Sequence, residues 1–387
     1  MKKTTRKRME YYEFFAGGGM ARLGLGNRWK CLFANDIDEM KSSCYRFNFK
    51  GADELSVCDI ARLTHRDLPG KVDLAWASFP CQDLSLAGNG AGLEGKRSGL
   101  FWEFWRLVKG LKAEGRAPRT IVLENVYGTI TSHDGKDMAA ICAALAGEGY
   151  RFAPLVIDAA LFLPQSRPRL FIVGFDPDTE PPRELICEGP QSPWHPETFG
   201  IPYDQLDETA RAAWLWLRLP APAKRTTRLV DFIEDEPTGV SWHSEFETRR
   251  LLSMMSPINQ EKVQAAKSSG RKMVGAIYRR TRPNQDGVKV QRAEVRFDDV
   301  AGCLRTPAGG SSRQIVLIVE GSRVKSRLLS PREAARLMGI PEKYSLPKRY
   351  NDAYHLAGDG VAVSVVAWLA RHVIEPSVAS EAKRAVA

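Results

Sequence analysis

From Tyr11 to Gly174 the chain alternates between short apolar runs and longer amphipathic segments, and this rhythm restricts the possible folds more than any other feature. The runs Tyr11–Phe15, Cys31–Ala34, Val72–Ala77, Thr120–Leu123, Phe152–Ile157 and Leu170–Val173 have strand length. Between them, Gly99–Leu111 sets Leu100, Phe101, Phe104, Trp105, Leu107 and Val108 at helical spacing, and Met138–Ala146 is a second helical pattern. Apolar strands separated by helices are buried on both faces by those helices. The expected fold is α/β, a mostly parallel sheet with helices on both faces.

After Gly174 the texture changes. Asp176-Pro177-Asp178-Thr179-Glu180-Pro181-Pro182 reads as a turn-rich linker, and the strand–helix rhythm is lost as far as about Phe297. Gly270–Phe297 is strongly basic, with Arg271, Lys272, Arg279, Arg280, Arg282, Lys289, Arg292 and Arg296 against Asp286 and Glu294, and with Tyr278 and Phe297 interleaved. Such a stretch fits a nucleic-acid face and, equally, a solvated hairpin. Lysine and arginine together number 56 against 46 acids, a net charge of +10 that suits a polyanionic partner without requiring one. The 7 cysteines form no C-x-x-C pair, which favours a reducing compartment over a disulfide scaffold. The basic Met1–Arg8 is not followed by an apolar signal core, and Val361–Ile374 is interrupted by Ser364, Arg371 and His372. A soluble cytoplasmic protein with no membrane association is expected.

The first strand runs into Phe15-Ala16-Gly17-Gly18-Gly19, a turn that lets a ligand approach the backbone. A dinucleotide fingerprint would need a third glycine where Arg22 stands. Asp36, at the end of the second strand, suits the hydroxyls of a ribose, so an adenosine-bearing cofactor is favoured over a ligand-free turn. Gly90-Ala91-Gly92-Leu93-Glu94-Gly95-Lys96 has P-loop spacing, but Arg97 replaces the magnesium-binding hydroxyl, which excludes nucleotide hydrolysis by that route. The glycines of this stretch instead suit a loop that moves.

Ser78-Phe79-Pro80-Cys81-Gln82 follows the strand ending at Ala77. A single cysteine is ordinarily a small buried hydrophobe. At the C-terminal end of a parallel strand it is a candidate nucleophile. Leu84 breaks the zinc-deaminase pattern P-C-x-x-C, and no metal site is expected. Glu124-Asn125-Val126 puts a carboxylate on the same rim, and Gln165, Arg167 and Arg169 alternate in an extended segment that would point all three to one face.

In this order and spacing, the glycine turn, Pro80-Cys81-Gln82, Glu124-Asn125-Val126 and Gln165-x-Arg167-x-Arg169 resemble the DNA cytosine-C5 methyltransferase family. The resemblance continues through Leu304-Arg305-Thr306-Pro307 and Gly358-Asp359-Gly360-Val361, covering nearly the whole chain. It implies a Rossmann-like, S-adenosylmethionine-dependent methyltransferase with a smaller, irregular target-recognition domain. The implied domains are catalytic and cofactor-binding (1–174), target recognition (175–318), a hinge segment (319–350) and a C-terminal helix returning to the catalytic domain (351–387). Methyl transfer from S-adenosylmethionine to C5 of a flipped-out cytosine in double-stranded DNA is the implied reaction.

The same resemblance assigns roles. Cys81 attacks C6, Glu124 holds the N3 and 4-amino edge, Arg167 contacts O2, and Arg169 supports the geometry of Glu124 and Cys81. Phe15, Ala16, Gly17, Gly19, Asp36, Ile37, Asp59, Ile60, Pro80, Leu100, Asp359 and Val361 would hold the cofactor. Gln82, Ser85, Arg279, Arg280, Arg282 and Arg305 would face DNA, with Arg305 also supporting the fold of the recognition domain. Two departures stand out: Glu13 where the first strand usually has Asp, and Asp359 where the family has Asn. A monomer is expected, and a cognate restriction endonuclease, if present, would act separately. The transfer-RNA branch of the family carries a Cys-Phe-Thr signature not found in this sequence. A silent DNA-binding scaffold would have no need of intact Cys81, Glu124 and Arg167.

Overall fold

The alternating pattern forms a seven-stranded sheet in a computed structural model that describes residues 8–80, 99–283, 287–305 and 313–384. Its strands are β1 (Met9–Phe14), β2 (Trp29–Asp36), β3 (Leu55–Val57), β4 (Leu74–Ala77), β5 (Thr120–Val126), β6 (Arg151–Asp158) and β7 (Pro168–Phe175), in the order β3-β2-β1-β4-β5-β7-β6. Pairs from β3 through β5 are parallel; β7 runs antiparallel to both β5 and β6. Every residue of β4 is buried, as a central strand covered on both faces must be. Helices α1 (Met20–Leu25), α2 (Glu39–Asn48), α3 (Leu100–Ala113) and α4 (Lys136–Gly147) connect the strands. The apolar stripe of α3, from Phe101 to Leu111, and that of α4, including Met138, Ile141 and Leu145, enter one core with Phe14, Ile121 and Ile172. Chain order reverses between β1 and β4, so the crevice at their C-terminal ends is the topological switch point.

The chain divides into two compact units, the first comprising Met1–Asp158, Pro168–Ala221 and Val365–Ala387, the second Ala159–Arg167 and Pro222–Ser364. Residues 175–221, expected in the recognition domain, group with the sheet unit. Within them lie β8 (Ile186–Cys187), β9 (Trp216–Leu217), α5 (Gly200–Tyr203) and α6 (Glu208–Ala213). Their tryptophans anchor this segment: Trp214 meets Phe152 edge-on at 5.7 Å, and Trp194 stacks on Trp368 at 4.8 Å.

The second unit is more regular than its sequence suggests. It holds an antiparallel sheet, ordered β11-β10-β12-β13, of β10 (Met273–Pro283), β11 (Lys289–Arg296), β12 (Ile315–Glu320) and β13 (Arg323–Leu328). Helices α7 (Glu245–Ser253) and α8 (Pro257–Ser268) pack Leu251, Val263 and Ala266 against Ile277, Val295 and Leu317. Next to this sheet, α9 (Pro331–Leu337) is capped by Ser330 and Glu333, and Glu333 also pairs with Arg327 at 2.6 Å, both side chains 0% exposed. Ser330 N–H donates to the Glu333 carboxylate and Arg327 donates to the Glu234 carbonyl, which offsets part of the cost of burying the pair.

One stretch among the described residues, Tyr350–Ala379, has the length and mean hydropathy to cross a membrane, but 61% of its most apolar window is buried inside the protein. The helical run is also broken at residues 360–362.

Candidate active site

The turn after β1 uses backbone conformations that favour glycine: Gly17 and Gly19 have φ of 53° and 77°, and Phe15 reaches 56°. A Cβ on Gly19 would lie 2.3 Å from the Phe49 ring, whereas one on Gly17 would meet nothing closer than Lys41 at 4.0 Å. Gly19 is therefore needed for packing, and Gly17 borders open space at the switch point. Asp36 holds this turn in place, accepting from Gly17 N–H at 2.7 Å with one oxygen and from Asp38 N–H at 2.8 Å with the other. Asn35 donates to the carbonyls of Ser56 and Cys58, tying β2 to the segment that ends at Asp59. Asp59 caps the following turn through Ala61 N–H, and Ile60 is buried in the core. Ile37, 67% exposed beside Asp36, offers uncovered apolar surface. Leu100 packs on the core, and Pro80 is exposed. Open space beside a glycine turn, a fixed carboxylate and an exposed apolar side chain fit an adenosine-bearing group.

Arg22 occupies the position of the missing third glycine. Its guanidinium lies 4.3 Å from the Phe49 ring centre, donates to Tyr45 Oη at 3.0 Å and pairs with Glu54. Glu13 is buried next to this group, accepting from Arg22 N–H and from Tyr45 O–H, each at 3.3 Å. Burial pushes the Glu13 carboxyl up from 4.5 to about 8, against the pull of Arg22. The folded state thus favours the protonated acid. Its contribution to stability is complete below pH 4.5 and is lost as pH rises to about 8. Glu13→Gln, which stays neutral, is expected to gain in melting temperature relative to wild type across this interval. A melting difference independent of pH would contradict this assignment.

Glu124 and Arg169 meet across the antiparallel pair of β5 and β7. Glu124 lies opposite Phe171, so Arg169 is its diagonal neighbour on the same face. Their side chains approach at 3.3 Å, Nε to Oε1, and both are largely buried. Asn125, whose role is not evident from the sequence, donates to the carbonyl of Phe79 at 3.1 Å and accepts from Val126 N–H and Thr129 O–H. It fixes the chain two residues before Cys81, on the rim that carries Glu124. Cys81, Gln82, Ser85 and most of the glycine-rich stretch lie outside the described residues.

Arg167 does not follow the expected alternation. The strand starts at Pro168, and Gln165 and Arg167 belong to the second unit. Arg167 is 2% exposed, donating to the carbonyl of Leu304 at 3.0 Å and to those of Gly358 and Gly360 at 2.8 and 2.7 Å. Gln165 donates to the Leu337 carbonyl and accepts from Leu304 N–H. These contacts give Arg167 an internal role, holding the C-terminal end of the helix Tyr350–Asp359. In the same unit, Asp359 lies 3.0 Å from His355, and Val361 is buried. Arg279, Arg280 and Arg282 lie on β10, and Arg305 is exposed.

Residues 9–375 match the family pattern described as C-5 cytosine-specific DNA methylase. Over 378 residues the chain is 26% identical to the Type II methyltransferase M1.ScrFI of Lactococcus lactis subsp. cremoris, an alignment spanning 97% of this chain and 79% of that protein. It is also 26% identical to the Type II methyltransferase M.HpaII of Haemophilus parainfluenzae over 377 residues, 96% of this chain and 90% of the relative. Among solved structures, the Dnmt2 methyltransferase of S. pombe shares its fold with a TM-score of 0.59 at 18% identity, covering 94% of this chain and 97% of that one.

Proposed function

Because this chain belongs to the C-5 cytosine-specific DNA methylase family, we propose that its active site is built from Cys81, Glu124 and Arg169, with S-adenosylmethionine as the methyl donor. The protein is a DNA cytosine-5 methyltransferase. Cytosine C5 is a weak nucleophile, and the thiolate of Cys81 overcomes this by bonding to C6, which moves electron density to C5. A thiol of ordinary pKa ~8.5 needs a polar site to form that thiolate. Glu124 binds the N3 edge and supplies a proton there as the ring accepts charge. Arg169 fixes the Glu124 carboxylate and offsets negative charge on the base. After methylation, loss of the C5 proton and expulsion of Cys81 restore the C5–C6 double bond.

When bound, the donor supplies an electrophilic methyl group on a sulfonium centre. The turn at Phe15, Ala16, Gly17 and Gly19 would hold its methionine part, Asp36 its ribose, and Ile37 and Asp59 its adenine. Because C6 is inaccessible in a duplex, the target cytosine must be flipped out. The antiparallel sheet of the second unit is read as the target-recognition element. We further read the enzyme as a cytoplasmic monomer, with any cognate restriction endonuclease acting separately.

The arrangement around β5 carries this reading: Glu124 is held by Arg169 while its neighbour Asn125 pins Phe79, two residues before the nucleophile. The test is transfer of a labelled methyl group from S-adenosylmethionine to duplex DNA and to transfer RNA. Label in DNA is expected; label in RNA alone would overturn the substrate assignment.

A further inference from the structure

Beyond its root, the basic hairpin of the second unit leaves its sheet. β10 pairs with β12 only from Met273 to Ile277, whereas its pairing with β11 continues to Pro283. From Tyr278↔Glu294 to Pro283↔Lys289, two strands project alone for about 20 Å at ~3.4 Å per residue. A two-stranded ribbon is marginally stable in water. This one also sets Arg280 directly opposite Arg292, and like charges so placed oppose pairing. Arg280 reaches Glu294 at 3.5 Å and lies over the Tyr278 ring. Among the described residues, Arg292 makes no ion pair. Both arginines are exposed. Arg279 and Lys289 add to this positive charge, which a polyanion would relieve.

The two faces of the ribbon differ. Tyr278, Arg280 and Glu294 share one face with Arg292, while Thr281 and Gln291 lie on the other. The arginine face meets Gly302 at its root, where a Cβ would collide with the Tyr278 hydroxyl at 1.6 Å. Gly302 adjoins Ala301, which bridges to Gln165, four residues before Arg169 in the chain. The opposite face meets α7 and α8 at its root, through Ile277 and Ala293.

We propose that this ribbon enters the major groove of the target duplex, where Arg280 and Arg292 read guanine edges. The inference rests on the DNA-methylating function above. A major groove about 12 Å wide admits a two-stranded ribbon. Opposed Cα atoms in such a ribbon are only about 5 Å apart, so a central cross-strand pair points at the groove floor and not at the phosphates of its walls. The guanidinium fork matches O6 and N7 of guanine.

The experiment selects bound sequences from random duplexes with the full-length wild type, Arg280→Ala and Arg292→Ala, and maps methylation by the same proteins. Arg323→Ala, which removes an exposed charge at the start of β13, serves as the control. The wild type is expected to enrich a motif containing G·C pairs. Each ribbon variant should lose about 10- to 100-fold discrimination at one of those pairs while the other positions are kept. Uniform weakening on all sequences with a shallower salt dependence identifies phosphate contacts and overturns the proposal, as does an unchanged motif. If the wild type methylates no DNA, the functional reading fails, and the binding selection still decides the role of the ribbon.

Discussion

Cys81→Ala is expected to reduce methyl transfer to background while duplex binding is retained. Without the sulfur, no group can form the bond to C6, and C5 of an aromatic cytosine is left to attack the methyl group unaided. Duplex affinity comes instead from charged side chains meeting phosphates, which a small neutral substitution leaves in place. Labelled transfer and filter binding on the same preparation separate the two effects. Activity equal to wild type would exclude the covalent route.

Glu124→Gln should lower kcat by about 10²–10⁴-fold, the usual contribution of a positioned acid, with a much smaller change in KM. Glutamine keeps the size of the side chain but cannot supply a proton at N3. Arg169→Ala should also act on kcat, because it leaves the Glu124 carboxylate, 6% exposed, without the guanidinium that holds it. Arg167→Ala provides the contrast. Its guanidinium serves the carbonyls of Leu304, Gly358 and Gly360, so the expected result is a lower melting temperature. Steady-state kinetics combined with thermal melts distinguish these patterns. A selective loss of kcat in the Arg167 variant, at wild-type stability, would return that residue to the base.

The glycine turn, Asp36 and Glu124 were legible in the sequence because each follows a strong apolar strand, and the C-terminal ends of parallel strands converge. The burial of Arg167 on backbone carbonyls was not. A period of two from Gln165 onward requires one extended segment, but the strand begins only at Pro168. The role of Asn125 has no local sequence signal, because its partner is a backbone carbonyl 46 residues away. The antiparallel sheet was hidden for a different reason: β10 is apolar only at its root and becomes arginine-rich where it leaves the core. The scattered tryptophans of residues 175–221 looked like an irregular domain; Trp194 and Trp214 instead pack on the unit that carries the site.

The most direct measurement is bisulfite sequencing of plasmid DNA from a host without cytosine methylation that expresses either the wild type or Cys81→Ala. The expected result is protection of cytosines in one recurring sequence context with the wild type, and none with the variant. No protected cytosine in the presence of soluble, full-length wild type would contradict DNA cytosine-5 methylation by this protein.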